Sequence, residues 1–111
     1  MARIRRQGSV TVISPIGSLV QATIERIDRH IVSALQDRPA FVVLELGEVP
    51  FIDSRGLEYL LDAQDEAIRF GGELKLSNAN SLCRDILAVT GVDRFVSLFG
   101  DATTAIGSYS R

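Results

Sequence analysis

Tryptophan is absent from the 111 residues, and cysteine, histidine and methionine each occur once. One His and one Cys cannot supply the three or four nitrogen and sulfur ligands of a zinc site, so no metal is expected. A lone Cys also excludes an intramolecular disulfide, and with it any pointer to an oxidising compartment. The start, Met1-Ala2-Arg3-Ile4-Arg5-Arg6, is basic, but the apolar run of a secretory leader does not follow it. No stretch approaches the ~20 apolar residues of a membrane span. The expected setting is cytoplasmic, without direct membrane insertion. A large excess of one charge is missing too: twelve Lys+Arg face fourteen Asp+Glu, a formal net charge of −2. Nucleic acid, which calls for a basic face, is not an expected partner.

What is present is an ordinary globular composition, 46% hydrophobic and 23% charged. The length fits one domain over residues 1–111. No internal repeat, low-complexity tract or linker interrupts it. Charge is uneven along the chain. In residues 1–40, Arg3, Arg5, Arg6, Arg26, Arg29 and Arg38 outnumber Glu25, Asp28 and Asp37 by three, so the remainder carries −5. Two solvated faces of opposite sign account for this.

The pattern predicts a hairpin first, Ile4 to Gln7 and Val10 to Ile13 around a Gly8-Ser9 turn, broken by Pro15 and Gly17-Ser18. After Thr23, apolar residues at Ile24, Ile27, Ile31, Ala34 and Leu35 share one helical face, ended by Pro39. Phe41 to Leu46 is a nearly unbroken apolar run, suited to a strand buried on both faces. A second helix follows Ile52-Asp53-Ser54, with Leu57, Leu60, Leu61, Ala67 and Ile68 inward and Asp65 paired to Arg69. Gly71-Gly72 end it. Glu73 to Ser77 read as a strand, with Lys75 facing solvent. Leu82 to Thr90 read as a helix capped by Asn78, Asn80 or Ser81. Phe95 to Phe99 are a last strand or an apolar linker, and Asp101 caps a terminal helix. Strands alternating with helices give an α/β domain: a hairpin plus βαβ units in a mixed four- to five-stranded sheet with about four helices. The expected core is Phe41, Val43, Leu44, Leu46, Leu57, Leu60, Leu61, Ile68, Leu74 and Leu76. Cys83 is expected as a packing residue, and Phe95 and Phe99 as core or lid.

One junction carries chemistry. Asp53-Ser54-Arg55-Gly56 stands where a strand region turns into a helix, and sites gather at the carboxyl ends of strands in such sheets. Either Asp53 or Ser54 can accept a bond from a first-turn N–H. A hydroxyl there lies at the positive end of the helix dipole, where a phosphate finds N–H donors. Gly56 costs a helix interior about 0.8–1.0 kcal/mol relative to Ala; open access to the Ser54 hydroxyl is one use for it. Read alone, the four residues describe a helix cap and a packing glycine.

Read with its surroundings, the segment Phe41 to Gly72 resembles the core of the STAS family, which includes bacterial anti-sigma factor antagonists and cytoplasmic domains of sulfate transporters. The shared pattern is an apolar strand, a short loop, an apolar residue before Asp-Ser-x-Gly-Leu, a helix, and Gly-Gly before the next strand. Gly17-Ser18-Leu19 and Ala88 to Phe95 extend the likeness over nearly the whole chain. For the antagonist branch, the resemblance implies a non-enzymatic regulator that binds an anti-sigma factor with serine kinase activity. Phosphorylation at Ser54 ends that binding, and a phosphatase restores it. Asp53, Ser54, Arg55, Gly56 and Leu57 would form the partner-binding surface. Two positions depart from the pattern. Arg55 replaces a small hydroxyl residue, and Val20 stands where an acidic residue is common. Both fit an alternative within the family, a non-phosphorylated interaction subunit of a stressosome-like or transporter assembly.

Other chemistries lack their parts. A phosphate-accepting Asp53 would need Mg²⁺ held by carboxylates near the first strand end, and Ile13 to Ser18 contain none. A hydrolase using Ser54 and His30 lacks a Gly-x-Ser-x-Gly elbow. Gly71-Gly72 do not make a nucleotide-binding loop, so no cofactor is expected.

Overall fold

In the computed structural model, which describes residues 2–110, the hairpin is β1 (Ala2–Gln7) and β2 (Val10–Pro15). They pair antiparallel from Ala2↔Pro15 to Gln7↔Val10, around a turn in which Gly8 takes φ +63. There follow α1 (Ile24–Leu35), β3 (Phe41–Glu45), α2 (Ser54–Arg69), β4 (Glu73–Ser77), α3 (Ser81–Thr90), β5 (Leu98–Phe99) and α4 (Ala102–Gly107). The sheet runs β1-β2-β3-β4-β5, with every pair after the hairpin parallel. This is the expected mixed α/β sheet. Met1 and Arg111, the ends of the expected domain, lie outside the described residues. Among the described residues no helix is long and apolar enough to cross a membrane.

Alternation along the strands sends side chains into two apolar layers. Ile13, Val42, Leu44, Leu74 and Leu76 pack with Ile27, Ile31 and Leu35 of α1, Leu60 and Ala67 of α2, and Cys83 and Leu87 of α3 in the larger core. On the opposite face Val10, Val12 and Val43 pack with Ala105 of α4, beside Phe41, Phe99 and Tyr109. β3 is buried on both faces, which is why its sequence is almost unbroken apolar.

The second layer corrects the expectation for Lys75. It is 7% exposed, because the C-terminal segment folds back over the outer face of β4. Its ammonium lies 4.0 Å from the Tyr109 ring centroid and 5.5 Å from that of Phe99, and donates to Ser108 Oγ at 2.5 Å. Tyr109 in turn donates to the Val42 carbonyl at 2.9 Å and stacks on Phe41.

Other expectations shift for local reasons. Ile68 is 58% exposed and Phe95 68% exposed, so neither belongs to the core. Phe41, Leu57 and Leu61 only border it. Arg69 pairs with Glu66 at 3.2 Å in place of Asp65. α1 stops at Leu35, ahead of Pro39: the N–H groups of Gln36 and Asp37 turn back onto Ser33 and Ala34, each at 3.2 Å. The Phe95 to Phe99 segment yields only two strand residues, since β5 begins opposite Leu76. Before that point Gln64 of α2 takes the place of a strand. Its Oε1 accepts from Leu74 N at 2.8 Å, while Nε2 donates to the carbonyls of Leu74 and Phe95 at 3.0 and 2.9 Å.

Candidate functional site

Two loops meet in front of α2. The β2–α1 loop is held by Thr23, whose Oγ1 donates to the Ser18 carbonyl at 2.6 Å and accepts from Val20 N at 3.2 Å. Leu19 forms a parallel bridge with Ile52, receiving Asp53 N–H on its carbonyl at 3.1 Å and donating to Phe51 O at 2.9 Å. Leu19, Val49 and Ile52 are buried beneath. Behind the β3–α2 loop, the Asn80 amide donates to Val49 and Pro50 carbonyls at 3.4 and 3.3 Å. Asn80 also caps α3, accepting from Cys83 N at 2.8 Å. Burial pushes the Cys83 thiol above its ordinary value, which keeps it protonated packing material.

Asp53 is the N-cap of α2. Its backbone is extended at φ −90, ψ −177, and Oδ1 accepts from Gly56 N at 2.8 Å. Oδ2 accepts from Gln21 N at 3.4 Å. One carboxylate thereby fastens the start of α2 to the loop before α1. With both oxygens facing backbone donors, its evident work here is to position the site.

Ser54 is the first residue of α2, exposed at the front of this frame. Arg55 is exposed beside it, and its Nη1 pairs with Glu58 Oε1 at 2.9 Å, both side chains well solvated. Leu57 is half-buried, its N–H on the Asp53 carbonyl at 3.0 Å. Gly56 is buried, which corrects the idea that it clears a path to Ser54. A Cβ built there would overlap the Leu19 carbonyl oxygen and stand 2.9 Å from Ile52 Cγ2. The glycine is required by the loop pressed against it.

The five expected residues are therefore contiguous, with Ser54 and Arg55 outward, and Asp53, Gly56 and Leu57 as support. Sequence reasoning placed Leu19 in the family likeness without giving it a part in the site, and missed Gln21 and Thr23; the three complete the frame from a distant segment. For Thr23 the available signal was its place ahead of an apolar helical pattern. Val20 is half-buried at this rim and adds no charge to it. His30 lines a different cleft, with Arg6, Ser33 and Asp37, so nothing makes it a base for Ser54. Among the described residues no group of three His, Cys, Asp or Glu side chains could hold a metal. The arrangement offers an exposed primary hydroxyl on a fixed surface, open to docking or to modification by another protein.

The family model described as STAS domain matches residues 1–105. Solved structures share the fold. A candidate anti-sigma factor antagonist from Thermotoga maritima is 20% identical with a TM-score of 0.91, covering 99% of this chain and 95% of that one. The Bacillus cell fate determinant SpoIIAA in its phosphorylated form is 20% identical with a TM-score of 0.70, covering 98% and 99%. The murine anion transporter Slc26a9 is 18% identical with a TM-score of 0.78, covering 92% of this chain and 18% of the transporter. Identities this low speak to fold alone. No curated protein sequence matches the chain.

Proposed function

The chain belongs to the STAS domain family, and we propose that it is a cytoplasmic, non-enzymatic anti-sigma factor antagonist switched off by phosphorylation at Ser54. The observation that carries this reading is the exposed Ser54 hydroxyl at the first position of α2, on a frame locked by Asp53 and Leu19. A docking surface centred on Ser54, with Arg55 and the edge of Leu57, has its backbone tied in place by these bonds, which lowers the ordering entropy that opposes binding.

The switch needs only local chemistry. Ser54 Oγ attacks the γ-phosphorus of ATP held by a partner serine kinase, forming the new P–O bond as the bond to ADP breaks. The hydroxyl proton passes to a base on the kinase. The product adds about −1.5 to −2 charge at neutral pH. Backbone N–H groups and the dipole of α2 offset part of it. Asp53 repels it, and Arg55 is already engaged by Glu58. The frame remains in place while bulk and charge stand in the middle of the contact, so the phosphorylated chain releases the anti-sigma factor. A phosphatase resets the cycle.

The Arg55–Glu58 pair and the uncharged Val20 at the rim also suit a second reading, a non-phosphorylated interaction subunit of a stressosome-like or transporter assembly. Incubation with the anti-sigma kinase and ATP separates the two. Wild type should incorporate one phosphate and lose binding, and Ser54→Ala should incorporate none and stay bound. Wild type that takes no phosphate while another assembly partner co-purifies would establish the second reading.

A further inference from the structure

A groove of about 290 Å³ lies between α1 and α2. Ile31, Leu35 and Ala63 are buried along it, and Val32, Tyr59 and Phe70 also line it. Val32 is 47% exposed although its neighbours in the groove are core residues. Every charged residue lining the groove is acidic: Asp28, Asp62 and Glu66. Asp28 is fixed by the Tyr59 hydroxyl, which donates to its Oδ1 at 2.8 Å. Nearby cations gather at the other end, Arg38 over the Phe70 ring at 4.3 Å and Arg69 on Glu66 at 3.2 Å. The Tyr59 end is apolar with an acidic rim, and among the described residues no lining cation answers it.

We infer that this groove docks an amphipathic helix of a protein partner, apolar on the inserted face and carrying Lys or Arg along its flanks. The volume lies at the lower edge of the ~300–1,000 Å³ of small-molecule sites; an open lining drawn from two helices suits side-chain anchors presented at helical spacing. The Asp28–Asp62 rim selects cations on the helix and disfavours an acidic one, since like charges across an interface repel. Parallel contact with two helices gives the partner helix a track, and Val32 supplies exposed apolar surface at its centre. The lining starts beyond Leu57 on α2 and includes none of Asp53 to Leu57, so it is a docking site separate from the one proposed above.

The test titrates the full ¹⁵N-labelled chain with a synthetic helical peptide of Leu on one face and Lys on its flanks, and with the same peptide carrying Glu for Lys. The basic peptide should shift the amides of Ile31, Val32, Tyr59 and Ala63, and the acidic peptide should not. Asp62→Lys and Val32→Lys change exposed side chains. Each should weaken binding by about tenfold or more, with the remaining amide spectrum unchanged. Ser54→Ala should bind the peptide as wild type does, whatever happens to the phosphorylation assay. Equal shifts with both peptides, shifts confined to other surfaces, or an unaltered affinity in Asp62→Lys would overturn the inference. So would a concentration-dependent dimer abolished by Val32→Lys, which would assign the groove to a second copy.

Discussion

The carbonyl of Leu19 lies directly against Gly56, in the space where any other residue would carry its Cβ. Helix propensity alone would make Gly56→Ala favourable by about 1 kcal/mol. Here the opposing atom is backbone, held by Asp53 N–H, and it cannot rotate away as a flexible side chain would. Overpacking of this kind costs about 1–3 kcal/mol. Gly56→Ala should therefore lower the thermal midpoint and weaken docking at Ser54 by displacing the loop. A variant more stable than wild type would show that the loop yields freely.

Asp53 tests whether the acidic neighbour of Ser54 acts by capping or by charge. Asp53→Ala should cost about 0.5–2 kcal/mol, the usual loss for an N-cap. Asp53→Asn keeps an acceptor for Gly56 N–H and should recover most of it. Asn turns an NH2 toward Gln21 N–H in place of Oδ2, which loosens that long contact, but with the cap to Gly56 N–H kept Asp53→Asn should preserve the rate of phosphate transfer to Ser54. A large rate loss in Asp53→Asn with stability intact would instead give the charge a direct role in the kinase encounter.

Much of the architecture was legible because it repeats. The Ile24 to Leu35 spacing, the apolar run of β3 and the cap at Asp101 are local signals, each standing where the pattern put it, and Asn80 is the one of three candidate residues that caps α3. Lys75 was not legible, because alternation along β4 shows which face it points to but not that Tyr109 and Ser108 return to cover that face. Ile68 fits the helical stripe of α2, yet the core there closes on Ala67 and Gln64. The candidate site was half legible. Asp53 to Leu57 are contiguous in sequence, whereas Leu19 and Gln21 reach them only through the fold, and Gly56 reads as permissive until its neighbour is known.

Gln64 is the least predictable part of the core, a polar side chain at an apolar position. Its amide satisfies the Leu74 N–H and C=O that β5 starts too late to reach. Gln64→Leu has similar bulk but strands both groups, each costing about 1–3 kcal/mol when buried without a partner. Gln64→Glu should be worse at neutral pH, because a carboxylate would face the carbonyls of Leu74 and Phe95 where donors stood. Protonation restores one donor, so the deficit of Gln64→Glu should shrink in urea unfolding at about pH 4. A deficit independent of pH would mean that the carboxylate swings out to water.

Two phenols should set the alkaline limit of stability. Tyr59 is pushed well above its ordinary value, first by burial and then by the hydrogen bond and charge of Asp28. Tyr109 is raised by burial and by the charge of Glu73. An unfolded tyrosine ionises near pH 10, whereas these two hold their protons in the folded chain. Unfolding therefore releases protons above that pH, and stability that is complete below about pH 10 falls as pH rises further. Tyr59→Phe should lose about 1.5–3 kcal/mol at pH 7 with its hydrogen bond to the Asp28 carboxylate, yet decline less steeply between about pH 9 and 11, the range in which a phenol ionises. Tyr109→Phe should behave alike through its bond to the Val42 carbonyl. The measurement is the urea midpoint across that range for wild type, both single variants and the double variant. If all four fall with the same slope, ionisation elsewhere sets the limit and the two buried phenols do not.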